Sequence, residues 1–242
     1  MKTKITTGLL LLLTFSLSFA QQKAIGEAPL DLEKFSFKTD ISSLLPEKYK
    51  SKDYANTYEI NIEGDRERSV MLTKKETFLN NYSPEKKKIG FEYSQVNWSN
   101  IDKMAVFKNS YFQKINIATT NDGKIKAIAV VADELTKSDS QNILKLLTAK
   151  FGTSQKKKSS WNQKLTIYEW AKPDRIIRFV TAYNDESTTL KIVVDKDKNT
   201  IENGAKEPHF VSYLFLIDPA SKAEVFGKLN SGDFVYLNEE GK

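Results

Sequence analysis

The sequence predicts an α+β fold: an antiparallel β-sheet built of meanders, one main amphipathic helix packed on one face, and a C-terminal strand–helix–strand appendage. Three observations predict it. Apolar and polar residues alternate through much of the chain, as a sheet with one wet face requires. One segment, residues 138–151, switches to helical spacing between two such stretches. The last long apolar run, HFVSYLFLI at 209–217, is continuous rather than alternating.

The elements follow from the N-terminus. Lys2 and Lys4 precede an apolar stretch from Gly8 to Leu13 that continues through Phe15, Leu17 and Phe19, and Ser18-Phe19-Ala20 supplies small residues around a cleavage point. This is the pattern of a secretory signal peptide, residues 1–20, cut after Ala20 and too short to span a membrane. The Leu-rich signal followed by Gln21-Gln22 has a bacterial character, so the expected destination is the periplasm or the outside of the cell. With no Cys in the chain, lipoprotein attachment, disulfides, thiolate nucleophiles and Cys-based zinc sites are excluded. A chain of this length buries roughly 70% of its unfolded surface and needs no such staples.

Residues 21–30 are small and polar and read as a loose leader. Residues 31–195 read as one α+β domain, and 196–242 as a C-terminal extension. Phe35 and Phe37 alternate with polar neighbours, Asp40 to Leu45 predicts a short helix stopped by Pro46, and Tyr58, Ile60 and Ile62 predict a strand. Gly64-Asp65 marks a turn before Val70 and Leu72. The clearest hairpin runs from Ile115 and Ile117 through Asn121-Asp122-Gly123, residues tolerant of positive φ, and returns along Ile125 to Val131. The clearest helix comes next. Ser138 with Gln141 makes a capping-box pattern, Ile143, Leu144, Leu147 and Phe151 form one stripe, and Gly152 ends it. Strands at Leu165–Trp170, Ile176–Tyr183 and Leu190–Val194 are separated by turns at Pro173-Asp174 and Asn184-Asp185. Asp218-Pro219 predicts the start of a short helix, Ala220–Leu229, and Phe234–Leu237 closes the chain.

Composition narrows the chemistry. Removing residues 1–20 takes away Lys2 and Lys4 and no acid, which lowers the net charge from +6 to +4. That mild bias is no nucleic-acid footprint. His209 is the single histidine, so a Ser-His-Asp triad has one possible base and a two-histidine zinc site cannot form within one chain. Its place at the start of an apolar strand reads as an edge imidazole without a catalytic task. No nucleophile elbow, phosphate-binding glycine loop or dinucleotide fingerprint is present. Asp195, Asp197 and Asn199 occupy the first three ligand positions of a calcium loop, but Thr200 stands at its glycine position and Lys206 at its glutamate position. The segment reads as a polar linker.

Paired carboxylates are left. Glu92, Glu169 and Asp174 lie near aromatic residues able to stack on sugars: Tyr93, Trp98, Tyr168 and Trp170. Glu169 alternates with Tyr168 and Trp170 and so reads as a solvated strand residue, and the other acids read as lying in turns or on wet faces. The runs Lys86–Lys88 and Lys156–Lys158 read as solvated loops, with an anionic envelope partner as the functional reading. Trp161 is a further candidate for a stacking surface. The continuous FVSYLFLI run reads as a central strand buried on both faces, or as an edge that a partner strand extends. Asn81 and Asn97 head glycosylation sequons that count only in a eukaryotic host. No catalytic, cofactor-binding or metal-ligating residue is assigned. The expected function is an exported, non-enzymatic module that binds a protein or envelope component, neither membrane-spanning nor nucleic-acid-binding. A carbohydrate-binding protein or a carboxylate glycoside hydrolase is the alternative, and a structural accessory of an envelope assembly the third possibility.

Overall fold

The computed structural model describes residues 23–61, 69–79, 87–159, 165–186, 190–195, 200–205, 207–229 and 231–239. The signal segment, the Gly64-Asp65 turn, Asn81, Lys86 and Trp161 lie outside the described residues. In chain order the strands are β1 (Leu30–Asp31), β2 (Thr57–Asn61), β3 (Ser69–Phe78), β4 (Lys88–Gln95), β5 (Ala105–Phe107), β6 (Ser110–Phe112), β7 (Lys114–Thr119), β8 (Ile125–Leu135), β9 (Gln155–Lys158), β10 (Thr166–Ala171), β11 (Ile176–Asn184), β12 (Leu190–Asp195), β13 (Thr200–Ala205) and β14 (His209–Ile217). The α-helices are α1 (Ile41–Leu44), α2 (Lys137–Phe151) and α3 (Lys222–Val225).

Nine strands form one sheet in the order β2-β3-β4-β7-β8-β14-β11-β10-β9. Every pairing in it is antiparallel. β14 runs between β8 and β11, with Leu214 opposite Val130 on one side and Phe179 on the other. The C-terminal segment therefore does not hang off the sheet; it supplies a central strand. Its continuous apolar run is what such a position demands, because both faces are covered. Ile143 and Leu147 of α2 pack on one face with Leu30, Phe35 and Leu44 from the N-terminal region. Val225, Leu229, Phe234 and Leu237 cover the other.

Local sequence explains most element ends. α2 is capped two residues before Ser138: Thr136 Oγ1 accepts from Asp139 N at 3.1 Å, and Asp139 Oδ2 accepts from Thr136 N at 3.2 Å. A T-x-x-D box thus supplants the S-x-x-Q pattern, with aspartate serving at the position usually held by Glu or Gln. Gly152, at φ +82°, ends the helix. Thr136→Ala is expected to lower stability by about 1 kcal/mol, read from a urea midpoint, whereas Ser138→Ala changes it little.

Four expectations are corrected. Residues around Phe35 and Phe37 form turns, because Asp31 Oδ1 accepts from Glu33 N at 3.0 Å and Ser36 Oγ from Lys38 N at 3.3 Å, offering the backbone a local alternative to a ladder. The stretch read as a loose leader is packed from Ala24: Ile25 is buried and its N–H donates to Leu44 O at 2.9 Å. Asp218 caps as expected, accepting from Ala220 N at 3.2 Å, but only a 3-10 turn at 219–221 and the four residues of α3 follow. Phe234 and Leu237 lie in a further 3-10 helix, 232–237, whose period of three turns both to the sheet. The short helix at α1 is present, capped by Asp40. No helix among the described residues is long and apolar enough to cross a membrane.

Candidate functional site

The C-terminal segment covers the β7–β8–β14–β11–β10 part of this face and reaches β4 at Glu92, where the sheet becomes polar. β4 alternates: Phe91 and Tyr93 join the core cluster that also takes in Ile143 and Leu147 of α2, while Glu92 and Ser94 turn the other way. Across the ladder Glu92 faces Ala118 on β7 and Lys75 on β3, and Ser94 faces Asn116. Lys228, Ser231 and Gly232 close the top of a cleft of about 380 Å³ that these residues line with Thr77, Gln95 and Lys114. Its size lies in the range of small-ligand sites, ~300–1,000 Å³.

Glu92 is only 6% exposed. Its Oε1 accepts from Ser94 Oγ at 2.8 Å and its Oε2 from Ser231 Oγ at 2.6 Å. Asp233 accepts from Asn116 Nδ2 and forms an ion pair with Lys114 Nζ at 2.7 Å. Asn116 Oδ1 in turn accepts from Gln95 N at 3.0 Å. These bonds tie the segment 231–233 to β4 and β7. Glu76 is taken by Lys88 at 2.7 Å. Lys75, across the ladder from Glu92, and Lys228 line the cleft with no acidic partner among the described residues.

Further along the same face, a second network clasps the end of the segment. Arg178 Nε donates to Glu169 Oε2 at 2.6 Å, and its other nitrogens donate to Leu237 O and Glu239 Oε1. Lys157 Nζ lies 3.0 Å from Glu169 Oε1 and 2.9 Å from Glu239 Oε1. The guanidinium stacks 3.9 Å above the Phe226 ring.

These facts correct the expectation that acids lie only in turns or on wet faces. Glu169 does alternate with Tyr168 and Trp170, but its face is roofed by the C-terminal segment, so it is buried and paired rather than solvated. Of the three candidate carboxylates only Glu92 lines the cleft; Asp174 sits in an exposed turn beside Arg175. The aromatic platform is dispersed. Tyr93 packs on Tyr58 in the core, Trp170 is buried with Nε1 donating to Gly152 O at 2.7 Å, Trp98 is exposed in the loop after β4, and Tyr168 lines a separate groove under α2. His209 Nε2 lies 3.0 Å from Asp133 Oδ1 and Nδ1 3.1 Å from Glu207 O.

Asp195 and Thr200 are paired at the ends of the antiparallel strands β12 and β13; Asp197, Asn199 and Lys206 lie outside the described residues. Lys156–Lys158 form the edge strand β9 rather than a loop, where charge guards an open ladder. Comparison with protein families, with curated proteins and with solved structures finds no match to the chain. Function is therefore read from the cleft itself. Lys75, Ser94, Asn116, Lys228, Ser231 and Asp233 were not singled out from the sequence. One signal was legible: Asn116 interrupts the apolar strand Ile115–Ile117, a place where a polar residue requires a partner.

Proposed function

We propose that this chain is an exported, non-enzymatic binding module of the bacterial periplasm or envelope, and that the cleft between β4 and the C-terminal segment holds its ligand. One observation carries the reading: Glu92 and Glu76, which line the cleft, and Asp233 beside it are each engaged by the protein's own serine, asparagine and lysine donors, while Lys75 and Lys228 line it with no acidic partner among the described residues. A carboxylate hydrolase needs one group free to give a proton and another free to attack or to activate water. Here the oxygens of Glu92 and Asp233 are used to fix the roof of the cleft. Unpaired ammonium groups beside fixed acceptors suit recognition instead. The expected result is that the mature chain, beginning at Gln21 and recovered from a bacterial periplasmic fraction, shows no turnover of glycoside, ester, phosphate or peptide substrates above background. Turnover abolished by Glu92→Gln, Asp233→Asn or His209→Ala would overturn the reading.

A further inference from the structure

Resting on the cleft as the binding site, we infer that its ligand is a small sugar acid, a ring or chain carrying both a carboxylate and free hydroxyls. The donors and acceptors of the cleft determine this. A serine hydroxyl has one proton, and those of Ser94 and Ser231 are spent on Glu92, so both oxygens offer only lone pairs to an incoming group. A carboxylate has about four lone-pair sites, of which those two bonds occupy two on Glu92. Around Glu92 the floor of the cleft is thus an array of acceptors, beside which Glu76, with one oxygen on Lys88, and the Thr77 hydroxyl complete the lining. Lys75 and Lys228, by contrast, carry donors only, and neither has an acidic partner among the described residues. Lys114 is neutralised by Asp233 at 2.7 Å.

A ligand that satisfies both sets must place O–H donors on the floor and a negative charge between the two lysines. A plain anion would meet Glu92 with no hydroxyl to offer it. A neutral sugar would satisfy the floor and leave the ammonium groups in water. The cleft residues include no aromatic ring, so the stacking that dominates many sugar sites does not contribute, and selectivity rests on charge and hydrogen bonds. The volume of about 380 Å³ admits one ring or a short piece of an acidic chain rather than a long polymer.

The test is titration calorimetry of the mature chain at low ionic strength with D-galacturonate, D-galactose and acetate, and with trigalacturonate to separate a free sugar acid from a polysaccharide source. Galacturonate is expected to bind at least about ten-fold more tightly than galactose or acetate, and to weaken on adding salt. Trigalacturonate binding more tightly than the monomer points to a chain as the source, and the reverse order to a free sugar acid; either supports the ligand class. Lys75→Gln with Lys228→Gln is expected to lower galacturonate affinity about ten-fold or more while leaving the Tm unchanged, since no ion pair is broken. No galacturonate binding, equal binding of galactose or acetate, or an unaltered affinity in the double variant overturns the inference and leaves the non-enzymatic module standing. Reducing ends released from trigalacturonate would instead overturn the non-enzymatic reading and leave the ligand class in place.

Discussion

Arg178→Ala is expected to destabilise the fold by about 3–5 kcal/mol, the loss typical when one partner of a buried ion pair is removed. Arg178 is 1% exposed and serves Glu169, Glu239 and the Leu237 carbonyl at once. Alanine would leave two carboxylates close together, both within reach of Lys157. It would also free the end of the segment that carries Ser231 and Asp233 to the cleft. If uncompensated charge is the cause, Arg178→Met combined with Glu169→Leu should recover much of the loss, since apolar replacements of a buried pair are often neutral. Urea denaturation of the variants decides this. Equal losses in the single and double variants would show that packing on Phe226, not charge, matters.

The same network has an acid limit. Burial pushes the Glu239 carboxyl up, but hydrogen bonds from Lys157 and Arg178 outweigh it and hold the group below its ordinary value of 4.5. A carboxylate depressed in the folded state stabilises fully above its unfolded pKa, and that contribution fades as pH falls through the folded value. The wild-type advantage over Glu239→Gln should therefore be constant near neutrality and shrink as pH drops below about 4.5. Thermal unfolding of both across that range measures it.

Gly90→Ala is the second large effect. Gly90 sits in β4 at φ +147°, and a Cβ there would stand 1.8 Å from Thr119 O and 2.8 Å from Thr119 C. Both are backbone atoms of the neighbouring strand, so no side chain can swing aside. Overpacking of ~1–3 kcal/mol and a strained φ of ~1–3 kcal/mol sum to about 2–6 kcal/mol. Gly152→Ala is the control, because its φ is +82° but nothing lies within 4 Å of the added methyl. It should show the conformational cost alone, about 1–3 kcal/mol. Urea midpoints that are equal for the two variants would show that the close approach of β4 and β7 is not what Gly90 permits. Gly90 lies two residues before Glu92, so this approach also sets the ladder on which the cleft is built.

Much of the fold was legible locally. The Asn121-Asp122-Gly123 hairpin, the stripe of α2 and the strands flanking Pro173-Asp174 depend on neighbours within a few residues, and the structure has each of them. The apolar run at 209–217 already said that something covers both its faces. Period two says which residues share a face, but not whether that face is wet. For Glu169 and Glu92 the answer lies in residues 218–239, which fold back over strands far from them in sequence.

What the sequence determined by itself is therefore the local part: turns, caps, strand and helix periods, and the chemistries excluded by the absence of cysteine and the single histidine. Tertiary structure alone decided the rest. It placed the C-terminal strand at the centre of the sheet, buried two glutamates, and brought Lys75, Ser94 and Asn116 to Lys228 and Ser231. The physical reason is that burial and charge pairing depend on which segment roofs a face, and that is settled by long-range packing which no short window of sequence contains.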